Sequence, residues 1–196
     1  MLKKLVTSLL AVLFVAGGVV TADAKGKNSK AVIDNMLERV SVRQYSDKKI
    51  EQEKIDTILK AAMAAPSGMN RQPWEILVVD DKEKLAAIAQ ATPNARYSQD
   101  APLVMIVCGD IKVSDKLWMQ DCCAVTENIL LAVQSLDLGA VWCMCYPKQE
   151  SVLAIQKIFN MPKNIIPLSI IPMGYPAAKQ EPKQKYNPAK VHTNGW

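Results

Sequence analysis

The stretch that decides the fold is LWMQDCCAVTENILLAVQSLDL, which occupies residues 117–138. It is the longest segment of the 196-residue chain with helical periodicity. Its apolar residues lie on more than one side of the helix, and helices of that kind are buried in the core. We therefore predict a central helix that is buried on all sides, and we predict that Gly139 ends it.

Shorter helices and strands are predicted on both sides of this central helix. Apolar residues at helical spacing predict helices over residues 29–39, 53–65, 82–90 and 150–159. Buried strands are predicted at residues 74–80, 103–108, 140–144 and 165–173, with a polar loop at residues 92–100. This alternation predicts an α/β or α+β fold in which helices are layered on a sheet.

The C-terminal segment, residues 175–196, has a different character. It contains Pro176, Pro182 and Pro188 and shows no periodicity. Because proline disrupts both helices and sheet ladders, we expect this tail to be extended. A tail of this kind needs another surface for order, and we expect that surface to belong to a partner subunit.

Residues 1–24 have the pattern of a secretory signal peptide. Lys3 and Lys4 precede an apolar run of about 16 residues, and Ala22-Asp23-Ala24 places small residues where a signal peptidase reads them. The alternative is a buried helix or a membrane anchor, but a membrane span needs about 20 residues. We therefore expect cleavage after Ala24, a mature domain of residues 25–196, and export to the periplasm without a remaining membrane anchor.

The composition excludes several classes of protein. With 49% hydrophobic and 22% charged residues, the chain is not intrinsically disordered. The net charge of +5 does not form a basic cluster interleaved with aromatic residues, so nucleic acid binding is not expected. The five cysteines are odd in number and lack zinc-site spacing, which indicates buried free thiols and no metal site. A disulfide remains an alternative, because export leads to an oxidising compartment.

Arg39, Ser41 and Arg43 alternate just beyond the first predicted helix. In extended backbone, side chains two positions apart point the same way. Two guanidinium groups and a hydroxyl would then converge, which suits a terminal phosphate monoester. Lys183 and Lys185, also two apart, lie in the tail. The alternative for both groups is a solvated basic surface.

The segment Pro66–Trp74 joins a predicted helix to a buried strand and is rich in polar side chains. Ser67, Asn70 and Gln72 offer a hydroxyl and two amides. Amide groups donate and accept hydrogen bonds at once, which suits a planar ring with a polar edge. The alternative is a structured loop whose side chains bond its own backbone.

In this order along the chain, these segments resemble the nitroreductase family of FMN enzymes. The similarity covers nearly all of residues 25–196 and is most specific at Ala65-Pro66-Ser67-x-x-Asn70-x-Gln72-Pro73-Trp74. Weaker matches support it at Arg39-x-Ser41-x-Arg43, Asp121, Asn128-Ile-Leu-Leu-Ala, Leu138-Gly139-Ala140-Val141-Trp142 and Ile171-Pro172-Met173-Gly174-Tyr175-Pro176.

The resemblance implies an α+β fold with a mixed central sheet flanked by helices. It also implies an intertwined homodimer with an extended C-terminal tail and with FMN bound between the subunits. The residues that would bind FMN are Arg39, Val40, Ser41, Arg43, Pro66, Ser67, Asn70, Trp142, Cys143, Lys183 and Lys185. Among them, Pro66, Ser67 and Asn70 would meet the flavin ring from the other subunit.

The resemblance further implies a ping-pong oxidoreductase without a catalytic side chain of its own. NAD(P)H would reduce the flavin at N5, and a planar, electron-poor acceptor would then enter the same pocket. Nitroaromatics, quinones and activated alkenes are the expected acceptors. Two alternatives remain: an exported flavin-binding protein without NAD(P)H turnover, and a flavin-consuming or dehydrogenating member of the same fold.

The chain departs from the family pattern in three places. Met144-Cys145 stands where many relatives have Glu-Gly, whose acidic residue often contacts the nicotinamide, so the electron donor is less firmly implied. Asp137 replaces a common glycine, which we interpret as a surface change, and Lys185 replaces an arginine, which keeps the charge but not the planar fork. Cys143 and Cys145 share one face of a predicted strand, which raises the alternative of a dithiol relay to the flavin, although a disulfide between them would be strained.

Overall fold

The computed structural model describes the backbone of residues 22–196, with side chains from residue 29 onward. The predicted signal peptide, residues 1–24, lies almost entirely outside the described residues. The chain divides into a unit of residues 1–33, whose described part is helical, and a unit of residues 34–196. Across residues 22–196, no helix combines the length and the apolar character that crossing a bilayer requires.

Five α-helices form within the described residues, close to their predicted positions. They are α1 (Ala22–Glu38), α2 (Gln52–Met63), α3 (Lys82–Ala91), α4 (Trp118–Ser135) and α5 (Gln149–Ile158). α1 begins earlier than predicted, because alanine and lysine in its first turns are strong helix formers. The predicted loop at 92–100 instead forms a 3₁₀ segment, Pro93–Asp100, with proline at a position where its missing N–H costs nothing.

Over the same part of the chain the sheet has five strands, and it confirms the predicted α+β fold. The strands are β1 (Trp74–Val79), β2 (Leu103–Asp110), β3 (Gly139–Ala140), β4 (Cys143–Met144) and β5 (Ile165–Gly174). Their order is β1-β2-β5-β3, with β4 also paired to β5, and every strand pair is antiparallel. A parallel element enters through the isolated bridge between Ser41 and Ala140.

Apolar residues on both faces of β2 divide the core into two layers. Met105 and Val107 pack with α2 and α4 on one face. Val104 and Ile106 pack with α3 and α5 on the other. α2 and α4 run in opposite directions, since Lys54 near the start of α2 donates from Nζ to the carbonyl of Leu136, at 2.7 Å, while the end of α2 leads to the first turn of α4. Helices therefore cover both faces of a sheet whose strand β2 is buried at every residue before Asp110.

α4 is less buried than its sequence predicts. Cys123, Ala124 and Leu131 are only half-buried in the single chain. They share a side of the helix with Glu127. The prediction of a helix buried on all sides is therefore wrong for one chain alone, and an apolar face of α4 is left partly open.

The end of α4 corrects two sequence predictions. The backbone leaves the helix through Asp137, whose φ is 58°, and not through Gly139. Gly139 lies in β3, where an added Cβ would lie 2.5 Å from Cγ2 of Val42. Asp137 is thus more than a surface change, because it occupies the left-handed conformation for which glycine is best suited. Gly139 is required for a different reason, the close approach of a neighbouring segment.

Replacing Asp137 with glycine is expected to stabilise the fold by about 0.5–1 kcal/mol, because glycine relieves the strain of a left-handed backbone. The measurement is urea unfolding followed by circular dichroism. Asp137→Ala is the control, since it removes the same charge but adds no freedom at positive φ, and it is expected to destabilise the fold. Equal stabilisation by both variants would indicate a charge effect and contradict the backbone explanation.

Candidate functional site

The segment that carries Arg39, Ser41 and Arg43 lies along the edge of the sheet. Ser41 forms a parallel bridge with Ala140, and the N–H of Val42 donates to the carbonyl of Ala140 at 2.9 Å. The segment is therefore extended, as the alternation of its side chains requires.

The hydroxyl of Tyr45 links this segment to β5. Its hydroxyl lies 2.7 Å from the carbonyl oxygen of Val42 and 2.9 Å from that of Pro172 in β5. Burial raises the pKa of the Tyr45 hydroxyl well above its ordinary value. The hydroxyl therefore stays protonated and continues to donate across the physiological pH range.

The two arginines of this segment are held in different ways. Arg39 is largely buried, with 17% of its side chain exposed, and its Nε lies 3.4 Å from Oε1 of Glu127 on α4. Arg43 is exposed, and its Nη1 donates to the carbonyl of Ser41 at 3.1 Å. The intervening Val40 and Val42 line a separate cleft of about 450 Å³ between the end of α4 and the tail. Val40 and Val42 thus face a different cleft from the one that Arg43 lines, while the predicted convergence of Arg39, Ser41 and Arg43 on a phosphate stays a prediction.

The second predicted site segment, around Ser67 and Asn70, is an exposed loop with an internal hydrogen-bond network. The backbone N–H of Gln72 donates to Oγ of Ser67 at 3.0 Å, and Nε2 of Gln72 donates to Oδ1 of Asn70 at 3.0 Å. Pro66 is exposed where the loop begins. Ser67 and Gln72 therefore bond within the loop, as the alternative of a structured loop expects. The two N–H donors on Nδ2 of Asn70 remain available.

Asp121 anchors this loop to α4. Its Oδ1 accepts a hydrogen bond from the N–H of Gly68 at 2.9 Å. Its Oδ2 is buried and lacks a partner within the described residues. Met69, Asn70 and Gln72 all have positive φ, a conformation that persists only where surrounding contacts impose it. The bond from Asp121 is one such contact.

The loop and the arginine segment lie at different ends of α4. Asp121, which binds the loop, is in the first turn of α4. Gln134, in the last turn, lines the same cleft as Val40 and Val42, and about 20 Å of helix separates it from Asp121. Within one chain, these two groups of predicted site residues are therefore not brought together.

Between these ends, the segment after α4 presents backbone groups at the edge of the sheet. The N–H groups of Val141 and Cys145 donate to β5, at 3.2 and 2.9 Å. Because bonded and non-bonded pairs alternate in an antiparallel ladder, the polar backbone groups of Trp142 and Met144 point away from β5. Consistently, Nδ2 of Asn94 donates to the carbonyl of Met144 at 3.2 Å. The two N–H donors at this edge belong to Trp142 and Met144, whereas that of Cys143 faces β5.

The cysteines are free thiols buried to different degrees. Burial raises the pKa of Cys143 to about 11, against a smaller lowering by Arg43 and Arg96. Burial raises the pKa of Cys145 to about 12. Both are therefore protonated near neutral pH. Within residues 29–196, no cluster of side chains could hold a metal ion.

Cys143 and Cys145 are expected to react slowly with iodoacetamide at pH 8 in the folded protein. At a pKa of about 11, the thiolate fraction is roughly two orders of magnitude below that of an ordinary cysteine. Pulse labelling followed by peptide mass spectrometry measures the rates, with urea-unfolded protein as the control. Rapid labelling of either thiol in the folded protein would support the alternative of a dithiol relay to the flavin.

Lys183 and Lys185 remain apart from the other predicted residues. Both are exposed in the tail, and neither makes an ion pair or side-chain hydrogen bond with the rest of residues 29–196. The tail itself contains a short 3₁₀ turn, Pro188–Lys190, and neither α-helix nor strand.

The 3₁₀ segment Pro93–Asp100 contributes residues that the sequence did not reveal as candidates. Asn94 binds Met144, and Tyr97 lies beside the guanidinium groups of Arg43 and Arg96. The segment was predicted to be a loop, and no motif marks it. The polar and aromatic side chains of the segment itself were the available signal.

Comparisons with known proteins agree with this fold. The family model described as the nitroreductase family matches residues 36–110 and 99–175. A protein of Methanothermobacter thermautotrophicus, named for NADH dehydrogenase/NAD(P)H nitroreductase activity, is 39% identical over 180 residues, which is 90% of this chain and 94% of the relative.

Two solved structures are also similar. One, from Bacteroides thetaiotaomicron and with the same activity in its name, is 48% identical with a TM-score of 0.83, covering 85% of this chain and 98% of the other. The second, called an FMN-dependent nitroreductase of Clostridium difficile, is 30% identical with a TM-score of 0.80, covering 84% of this chain and 99% of the other.

Proposed function

The chain belongs to the nitroreductase family, and we propose from this premise that it is an FMN-dependent oxidoreductase that uses NAD(P)H as electron donor. The observation that carries the proposal is the edge of the sheet at Trp142 and Met144. There, two backbone N–H donors lie next to an extended segment with two arginines and a serine. Such an edge suits a planar ring with polar atoms, joined to an anionic group.

The donor chemistry of these residues fits FMN. Arg39, Ser41 and Arg43 supply charged and neutral donors for a phosphate. The N–H groups of Trp142 and Met144 suit acceptor atoms along a flavin ring. Lys183 and Lys185 would add positive charge once the tail is ordered against the site. When bound, FMN supplies a ring that takes two electrons from a nicotinamide and passes them to an acceptor.

We propose that each flavin site is shared by two copies of this chain. Pro66, Ser67 and Asn70 lie at the opposite end of α4 from the arginine segment, so one chain would supply the arginines and its partner the loop. The half-buried side of α4 with Cys123, Ala124 and Leu131 supports this arrangement, because pairing with a second copy would cover it.

The proposed reaction is ping-pong, with one pocket serving donor and acceptor in turn. For a nitroaromatic the balance is NAD(P)H + H⁺ + ArNO₂ → NAD(P)⁺ + ArNO + H₂O, and quinones or activated alkenes would accept two electrons likewise. The chain's residues hold and orient the reactants. A covalent nucleophile is not required, which agrees with the raised pKa of Cys143 and Cys145.

The test of this function is anaerobic stopped-flow mixing of the FMN-loaded protein with NADH and, separately, NADPH. Rapid loss of the flavin absorbance near 450 nm (a general property of flavins) is expected with at least one donor. If neither donor bleaches a flavin that dithionite still reduces, the nicotinamide step is wrong, and a flavin-binding role without NAD(P)H turnover takes its place.

Export is a separate proposal that rests on residues 1–24. A signal peptide cleaved after Ala24 would release a protein that begins at Lys25. Mass spectrometry of the protein recovered from a periplasmic fraction measures its N-terminus. An intact Met1 in a cytoplasmic fraction would contradict export.

A further inference from the structure

A cleft of about 500 Å³ opens beside the 3₁₀ segment Pro93–Asp100, and its lining carries two arginines and one aspartate. The lining includes Arg43, Arg96, Tyr97, Gln99, Asp100 and Gln180. Glutamines add neutral donors to the two guanidinium groups. The cleft thus has the size and the chemistry of a binding site for part of a small molecule.

The two guanidinium groups meet at one aromatic ring. Cζ of Arg96 lies 4.4 Å from the centre of the Tyr97 ring, and Cζ of Arg43 lies 5.8 Å from it. The bond from Nη1 of Arg43 to the carbonyl of Ser41 limits the movement of that side chain. A half-buried tyrosine with two cations beside it forms a fixed platform.

Neither arginine is neutralised by the protein. Within residues 29–196, neither Arg43 nor Arg96 makes an ion pair with a carboxylate. Asp100 lines the same cleft and adds one negative charge there, and its Oδ2 accepts a long bond, 3.5 Å, from Nε2 of Gln99. The FMN phosphate of the proposed function would compensate Arg43, so Arg96 is the cation left without a partner, and an anion bound to it would lower its repulsion with Arg43.

The cleft adjoins the proposed flavin site. The hydrogen bond from Asn94 to the carbonyl of Met144 joins the 3₁₀ segment to β4. The charges of Arg43 and Arg96 both reach Cys143 in β4, where they oppose the effect of burial on the pKa of its thiol. A molecule that reaches the edge of the sheet at β4 would therefore lie next to these cations.

We propose that this cleft binds the oxyanion group, carboxylate or phosphate, of a substrate of the reaction. Arg96 binds the oxyanion with its planar donor fork, and Arg43, which the proposed function assigns to the FMN phosphate, adds positive charge beside it. The aromatic part of an acceptor, or the nicotinamide of a donor, then extends towards β4. The substrate class that this predicts is an anionic aromatic molecule, and Arg96 determines the specificity. The turnover part of this inference rests on the proposed function.

Isothermal titration of the FMN-loaded protein with benzoate and with benzamide tests the cleft without turnover. The two probes have nearly the same shape and differ in charge. Benzoate is expected to bind at least about tenfold more tightly, the range of one charge-assisted hydrogen bond. Arg96→Gln should abolish this difference, Arg96→Lys should retain part of it, and Lys157→Gln, which removes an exposed charge on α5, should leave it unchanged.

Turnover then identifies which substrate carries the oxyanion. If the acceptor carries it, Arg96→Gln raises KM for 4-nitrobenzoate about tenfold and leaves KM for 4-nitrobenzamide unchanged. If the donor carries it as the additional phosphate of NADPH, the same variant raises KM for NADPH and not for NADH. Either result supports the cleft as an oxyanion site.

Other outcomes overturn the inference. Equal affinity of the wild type for benzoate and benzamide would show that the cleft does not distinguish an anionic ligand from a neutral one. A loss of FMN affinity in Arg96→Gln, with the preference for benzoate intact, would assign Arg96 to the flavin itself. If the wild type turns over neither acceptor, the proposed function is wrong. The two titrations still test whether the cleft binds an oxyanion.

Discussion

Replacing Arg39 with alanine is expected to weaken FMN binding by roughly ten- to a hundredfold, the range of one lost charge-assisted hydrogen bond. Riboflavin, which lacks the phosphate, should bind the variant within about threefold of its wild-type affinity. The reason is the position of the guanidinium group, which is largely buried and held at 3.4 Å from Glu127. Fluorescence titration of both flavins measures the two dissociation constants.

Glu127→Gln is the matched control for this prediction. It removes the ion pair but leaves Arg39 in place, and it also removes a negative charge that repels the phosphate. FMN affinity should therefore stay the same or rise. If Arg39→Ala weakened riboflavin and FMN equally, the role of Arg39 would be to support the fold of the site and not to bind the phosphate.

Replacing Gly139 with alanine is expected to destabilise the fold by about 1–3 kcal/mol, the usual cost of forcing an extra methyl group into a packed site. The new Cβ would lie 2.5–2.8 Å from three carbon atoms of Val42. Since Val42 is bonded through its N–H to Ala140, the clash would push the whole arginine segment away from β3. FMN affinity should fall together with the free energy of unfolding.

A double variant, Val42→Ala with Gly139→Ala, separates this clash from other effects. Val42→Ala alone removes buried methyl groups and is expected to cost about 1–2 kcal/mol. The double variant should be more stable than the sum of the two single effects predicts, because Cγ1 and Cγ2 of Val42 are gone and only its Cβ, at 2.6 Å, remains to clash. Additive effects, measured by urea unfolding, would contradict the close-contact explanation.

The secondary structure was largely predictable, because its signals are local. The apolar spacing of α2, α4 and α5 and the apolar runs of β2 and β5 gave the right elements within a few residues. The strand pairing was not predictable in the same way, since it depends on contacts between distant parts of the chain. β3 and β4, at two residues each, are set by their partner β5 more than by their own sequence.

The candidate site was predictable where a motif marks it and not elsewhere. Arg39 and Ser41 carry a spacing that the extended backbone explains, whereas Arg96 and Tyr97 act only through the position of a 3₁₀ segment that periodicity does not detect. Asp137 and Gly139 illustrate a further limit. A glycine near a helix end predicts the helix stop, but here another residue adopts the left-handed turn and the glycine serves a close contact.

If two chains share each flavin site, the positions of Arg39 and Asn70 near opposite ends of α4 have a genetic consequence. Two inactive alleles, one lacking Arg39 and the other lacking Asn70, would each form homodimers in which both flavin sites are damaged. When the two are expressed together, the mixed dimer would contain one site with both defects and one with none. Partial recovery of activity in such a cross, to about one quarter of the wild type if subunits pair at random, would identify the subunits that contribute to each site without any structure of the complex.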